Sequence, residues 1–148
     1  MWRNEVPEIL RTPYPLTQEM QEEFYHKVVC SRNTSSRWWS VYDDKLIGFA
    51  GLVNIEWENS LAEISLIMSP WQDAVGLILD EGFGNLGLAT IYGECYECSP
   101  TLDFWRGMVK KYNGYQTILP RRKRWEGRLW DSLYFSFERT GEHEKRQG

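Results

Sequence analysis

Cysteine is scarce and odd in number. Three thiols in 148 residues make no disulfide framework, and a chain this long buries roughly two-thirds of its unfolded surface without such staples. Positive charge is in short supply too: seventeen Lys and Arg against twenty-one Asp and Glu leave a net charge of −4. That balance argues against nucleic acid as the main partner, because phosphate binding rests on clustered cations. No stretch approaches the ~18 consecutive apolar residues of a membrane helix. The opening Met1, Trp2, Arg3, Asn4, Glu5 also lacks the charged-then-apolar order of a leader. The expectation is a cytoplasmic protein with no membrane partner. Repeats, low-complexity tracts and linkers are missing as well, which leaves a single domain over 1–148 with a polar tail from about residue 140. Aromatics are abundant, at 15% with eight Trp. A domain this small does not bury so many large rings completely, so some are expected to line a cleft or a partner surface.

Apolar spacing gives the elements. Pro7, Pro13 and Pro15 disfavour helix at the start. Thr17 reads as an N-cap, and Met20, Phe24 and Val28 follow at spacing four, predicting a helix over 17–30. From Arg37 the period becomes two, predicting a hairpin that turns at Asp43 and Asp44 and continues over 45–55. A third strand follows over 61–68, stopped by Pro70. Val75, Leu79, Phe83 and Leu86 share one helical face, predicting a helix over 72–86 despite Gly76, Gly82 and Gly84. A short strand over 90–96, a helix over 102–112 capped by Ser99 or Thr101 and ended by Asn113 and Gly114, and strands over 116–122 and 129–137 complete the chain. The fold class is α/β, a mixed and mostly antiparallel central sheet with helices on both faces.

Four segments in this order resemble the GNAT superfamily of N-acetyltransferases, in particular the branch that acetylates ribosomal-protein N-termini and spermidine. They are KLIGFAGLVNIEWEN, AEISLIMSP, LDEGFGNLGLATIYGECYE and RRKRWEGRLWDSLYFSF. The resemblance spans Thr17 to Phe137. It implies a GNAT-like single domain, acetyl-CoA as cofactor, and an amine of a protein or small molecule as acceptor. The segment AEISLIMSP is similar to the family strand whose end hydrogen-bonds the pantetheine arm, so Leu66, Ile67 and Met68 are the implied cofactor-binding positions, with Gln72 in the following loop and Ser99 before the last helix.

The departures fall where the chemistry lies. The family loop that cradles the pyrophosphate is shortened here to SPWQDAVG, and Asp73 brings negative charge where a phosphate needs positive potential. The family tyrosine that protonates the leaving thiolate is replaced by Trp105 or Arg106, neither of which is a suitable acid. Acetyl-CoA is therefore expected to bind weakly or not at all. Glu63 is the candidate base, since it shares a strand face with Ser65 and Ile67; Glu94 is a second. Leu66, Ile67 and Met68 offer backbone N–H donors to an oxyanion.

His26, Cys30, Cys95 and Cys98 allow a four-ligand zinc site to be drawn. A strand would set Cys95 and Cys98 out of register for it, so no metal is expected. The basic run Arg121, Arg122, Lys123, Arg124 reads as a solvated turn, with an acidic partner or a nucleotide phosphate as the functional alternative. Two functions follow: an acetyl-CoA-dependent N-acetyltransferase, or a catalytically inactive module of the same fold that binds a protein partner.

Overall fold

The structure, a computed structural model, describes residues 35–68 and 74–140. The expected helix over 17–30, the loop residues Gln72 and Asp73, and the tail from 141 lie outside them. Six strands form one sheet: β1 Arg37–Asp43, β2 Lys45–Glu56, β3 Leu61–Met68, β4 Thr90–Tyr96, β5 Tyr115–Trp125 and β6 Arg128–Glu138. Their spatial order is β1-β2-β3-β4-β6-β5. Among the described residues only β3 and β4 run parallel, and helix α1, Val75–Asp80, lies between them in the chain. The second helix, α2, is Leu102–Lys111.

Local chemistry sets the corners. Asp44 turns β1 into β2 at φ 62°, a left-handed conformation that short polar residues tolerate. Gly51 lies beneath the Trp38 ring, and a Cβ there would fall 2.6 Å from it, so only glycine admits the ring. Glu126 and Gly127, both at positive φ, make the two-residue turn between β5 and β6. Asn113 at φ 53° ends α2, and the Gly114 N–H bonds the Val109 carbonyl at 2.8 Å.

The helix expected over 72–86 is α-helical only as far as Asp80. Residues Glu81–Asn85 widen into a π turn, closed by the Leu86 N–H on the Glu81 carbonyl at 3.0 Å. Gly82 faces the sheet there, where a Cβ would sit 2.6 Å from Ile91 Cδ1. Among the described residues both helices cover the same face. Gly76 of α1 meets the Tyr112 hydroxyl, and Trp105 of α2 stacks on Phe135 of β6 with ring centroids 4.7 Å apart. Alternation along the strands puts Leu52, Ala62, Ile64, Ile91, Phe135 and Phe137 under them as a dry core. Glu63, Ser65, Tyr92, Glu94, Tyr96 and Tyr134 point to the opposite face.

Candidate active site

The β3–β4 ladder closes at Leu61 with Thr90, Ala62 with Ile91 and Glu63 with Tyr92, then stops, although the strands continue to Met68 and Tyr96. The two strands form a fork. Beyond it each keeps its outer partner, β3 on β2 as far as Met68 opposite Gly48, and β4 on β6 as far as Tyr96 opposite Ser132. The opening is thus walled by two strand edges that have separated from each other and from nothing else.

One carbonyl tells which backbone groups face the opening. Ser60 C=O accepts the N–H groups of Ala89 at 2.7 Å and Thr90 at 3.1 Å, so it points toward β4. Alternation along the strand then turns the N–H and C=O of Ala62, Ile64, Leu66 and Met68 toward β4, and those of Ile67 toward β2. On the other wall, Glu97 N–H bonds the Asp131 carbonyl of β6 at 2.9 Å. By the same alternation Glu94 turns its N–H and C=O, and Tyr96 its N–H, into the opening, while the Tyr96 carbonyl accepts the Ser99 N–H at 2.9 Å. Of the three expected donors, Leu66 and Met68 face it and Ile67 faces its β2 partner Phe49.

Glu63 stands at the fork itself, in the last paired rung. Its Oε1 accepts a hydrogen bond from Asn54 Nδ2 at 3.0 Å. Asn54 is aimed there by a break in the β2–β3 register between Val53 and Glu56, with φ at 50°. Glu94 shares this face two residues beyond Tyr92 but is firmly held. Its Oε1 accepts from Arg122 Nε at 2.9 Å and Ser132 Oγ at 2.6 Å, and its Oε2 from an Arg122 terminal nitrogen at 3.3 Å. The same hydrogen bonds push the Arg122 pKa above its ordinary value, keeping the guanidinium charged.

Ser99 is buried in front of α2, where its Oγ accepts the Thr101 N–H at 3.1 Å and shares a hydrogen bond with Thr101 Oγ1 at 2.7 Å. Its hydroxyl therefore shapes the entry to the helix. Gln72 lies outside the described residues, as do His26 and Cys30. Trp105 is buried against Phe135, and Arg106 is exposed, 3.9 Å from Asp103. Cys95 is a buried thiol 3.7 Å from Thr101 Oγ1, and Cys98 is half-buried; both are free thiols. Burial pushes the Cys95 pKa up, against a smaller downward pull from the Thr101 and Ser99 hydrogen bonds.

The basic run is not the solvated turn expected of it. Strand β5 continues through it to Trp125, Arg122 pairs with Glu94, and Lys123 is buried with its Nζ 5.1 Å from the centre of the Tyr96 ring. Tyr92 at the fork, stacked on Tyr134 at 6.0 Å, was not singled out by sequence reasoning either. Its alternation with Glu94 and Tyr96 was the available signal. No local signal marks the reach of Arg122 to Glu94, which crosses the intervening strand β6.

No family model and no curated protein sequence matches the chain. Solved structures do. Mutant forms of the spermidine/spermine N-acetyltransferase SpeG from Vibrio cholerae align with a TM-score of 0.75 at 19% identity, over 99% of this chain and 89% of theirs. Spermidine N-acetyltransferase from Vibrio cholerae in complex with CoA and spermine aligns with a TM-score of 0.72 at 20% identity, over 93% of this chain and 82% of that one. A dodecameric structure of the Vibrio cholerae enzyme in an intermediate state gives 0.66 at 20% identity, over 85% and 77%. The described residues have the GNAT fold, that of the spermidine N-acetyltransferases.

Proposed function

We propose that the protein is an acetyl-CoA-dependent N-acetyltransferase acting on an amine. The observation that carries this reading is the fork: two parallel strands part beside a fully paired sheet, with the backbone groups of Leu66, Met68 and Glu94 and the N–H of Tyr96 turned to the gap. Such edges fit the amides of a pantetheine arm, which can complete the interrupted ladder. Acetyl-CoA, when bound, would supply the thioester that the amine attacks, a C–N bond forming as the C–S bond breaks and CoA leaving as a thiolate that takes its proton from solvent.

Glu63, oriented by Asn54, takes the proton of the attacking amine. The Leu66 or Met68 N–H stabilises negative charge developing on the carbonyl oxygen. Glu94, tied to Arg122 and Ser132, shapes the wall of the gap. Two free thiols, Cys95 and Cys98, suit a cytoplasmic setting, and among the described residues no helix is long and apolar enough to cross a membrane.

A second reading, a partner-binding module without catalysis, is favoured by one observation: Trp105 and Arg106, the nearest equivalents of the family's proton donor, are a ring buried in a stack and an exposed guanidinium, and neither is a suitable acid. Calorimetric titration with acetyl-CoA, followed by thiol release in the presence of amines, separates the two. Saturable binding with amine-dependent release supports the enzyme. No binding at millimolar acetyl-CoA leaves the module.

A further inference from the structure

Strand β5 stands at the end of the sheet, with β6 on one side only. Two hydrogen bonds tell which of its backbone groups face outward. Glu97 N–H bonds the Asp131 carbonyl and Arg139 N–H bonds the Ala89 carbonyl, both at 2.9 Å, so the odd residues of β6 turn to β4. Ser132, Tyr134 and Ser136 then turn to β5, where Leu119, Thr117 and Tyr115 oppose them and close the ladder. Gln116 and Ile118 therefore present their N–H and C=O groups outward, and no described residue takes them. Pro120 and the break in register between Leu119 and Lys123 end this bare edge. Tyr115, 61% exposed, and Ile118, 47% exposed, flank it on opposite faces, and no charged residue from Tyr115 to Leu119 guards it.

A cationic helix flank overhangs the edge. Trp105 stacks on Phe135 and Tyr112 meets Phe137 edge-on, so α2 runs with β6 and against β5. Trp105 and Val109 are buried against the sheet, while Tyr112 meets Gly76 of α1. Successive helical residues turn by about 100°. Arg106 and Lys110, one step after Trp105 and Val109, thus lie on the flank turned away from α1, on the side of β5. Both are exposed. Lys110 has no ion-pair partner among the described residues, and Arg106 has Asp103, 98% exposed and 3.9 Å away, a contact that water screens. Asp131, the other carboxylate on this face beside β5, accepts the Arg121 N–H at 2.9 Å.

Spacing narrows the partner. Arg106 and Lys110 stand four helical residues apart, ~6 Å along the axis, and alternate residues of a strand are ~6.8 Å apart. A strand laid on β5 thus brings two side chains of one face level with the two cations. We infer that the β5 edge docks an extended segment of a partner protein with acidic residues at alternate positions, its backbone on Gln116 and Ile118 and its carboxylates on Arg106 and Lys110. The intervening side chains fall on the face of Tyr115. This surface is separated from the fork by β6 and does not depend on the acetyltransferase reading. A second copy of the chain fits worse. Antiparallel pairing about Thr117 would set Gln116 and Ile118 where the carboxylates belong, and would bring Lys110 of each copy toward Arg121 and Arg124 of the other.

The test uses the whole chain and two heptapeptides with fluorescent N-termini, one alternating threonine with glutamate, the other threonine with glutamine. Anisotropy titration should show the glutamate peptide binding at least tenfold tighter, with affinity falling as salt rises. Lys110→Glu should remove most of that preference. Lys45→Glu, the same change of charge at the exposed tip of the β1–β2 hairpin, should leave it. Ile118→Pro removes a donor that β6 does not use, and should weaken the glutamate peptide at least fivefold at an unchanged melting temperature. Should it melt lower, Gln116→Pro, which removes the other outward donor, replaces it. Equal binding of the two peptides, equal loss in Lys45→Glu and Lys110→Glu, or full binding by a folded proline variant would each overturn the proposal. So would tighter binding of a single-stranded RNA heptamer, or a dimer in sedimentation that Ile118→Pro dissociates.

Discussion

Strand β4 has two flanks and treats them differently. Against β6 all seven of its residues pair; against β3 only three do. The residues of β4 are common to both flanks, so propensity does not explain the difference. Packing does. The rung after the last pair would set Ile64 opposite Gly93, and a Cβ on Gly93 would fall 2.5 Å from Phe135 and 3.1 Å from Ile64 Cγ2. Side chains from both sides meet over this glycine, so the apolar core runs on where the backbone ladder ends. A buried backbone group left without a partner costs roughly 1–3 kcal/mol. An opening between two diverging strand edges is therefore a place for water or for a ligand with amides of its own.

Removing the bridge has the largest expected effect. Phe135 is 1% exposed and stacks on Trp105, so Phe135→Ala should lower stability by about 3–5 kcal/mol in urea denaturation. A loss under about 1 kcal/mol would mean that the ladder to β6, not the side-chain bridge, holds β4. Glu63→Gln comes next. At the fork it should cut amine acetylation by about a hundredfold while acetyl-CoA affinity stays the same; an unchanged kcat would remove Glu63 as base. Gly93→Val drives a side chain into Phe135 and Ile64, at a cost of about 1–3 kcal/mol. It should also weaken acetyl-CoA binding, because relieving the clash moves one wall of the gap.

The smallest effect lies on the helix side of the same strand. Burial raises the Cys95 pKa above 9.0, its unfolded reference value. The neutral thiol therefore contributes stability that is full below pH 9 and is lost as pH rises through the higher folded value. Melting temperatures between pH 8 and 10.5 should fall more steeply for the wild type than for Cys95→Ala. Parallel curves would mean that the folded structure does not shift this thiol.

Features set by local periodicity were legible in the sequence. The two walls of the gap, Leu61–Met68 and Thr90–Tyr96, have the bounds that alternation predicts, and α2 ends at Asn113 because a short polar residue accepts the left-handed turn there. The helix after β3 was only half legible. Its apolar spacing reads as continuous through Leu86, whereas the approach of Gly82 to Ile91 accompanies a π turn that spacing does not encode. The basic run misled for a similar reason: four consecutive cations look like a turn until Glu94 and the Tyr96 ring, distant in sequence, are brought beside them. At the site, alternation placed Glu63 on one face with Ser65, as the strand does. It could not show that Ile67 turns its N–H to β2, which follows from the direction of the Ser60 carbonyl.

The central claim is that the diverging edges of β3 and β4 receive the pantetheine arm of acetyl-CoA. Amide hydrogen exchange with and without saturating acetyl-CoA tests it residue by residue. The account predicts added protection at Leu66, Met68, Glu94 and Tyr96, whose N–H groups face the gap, and little change at Ile67 or Cys95, already turned to β2 and β6. Unchanged exchange at all six residues, or protection equal on both sets, would contradict it.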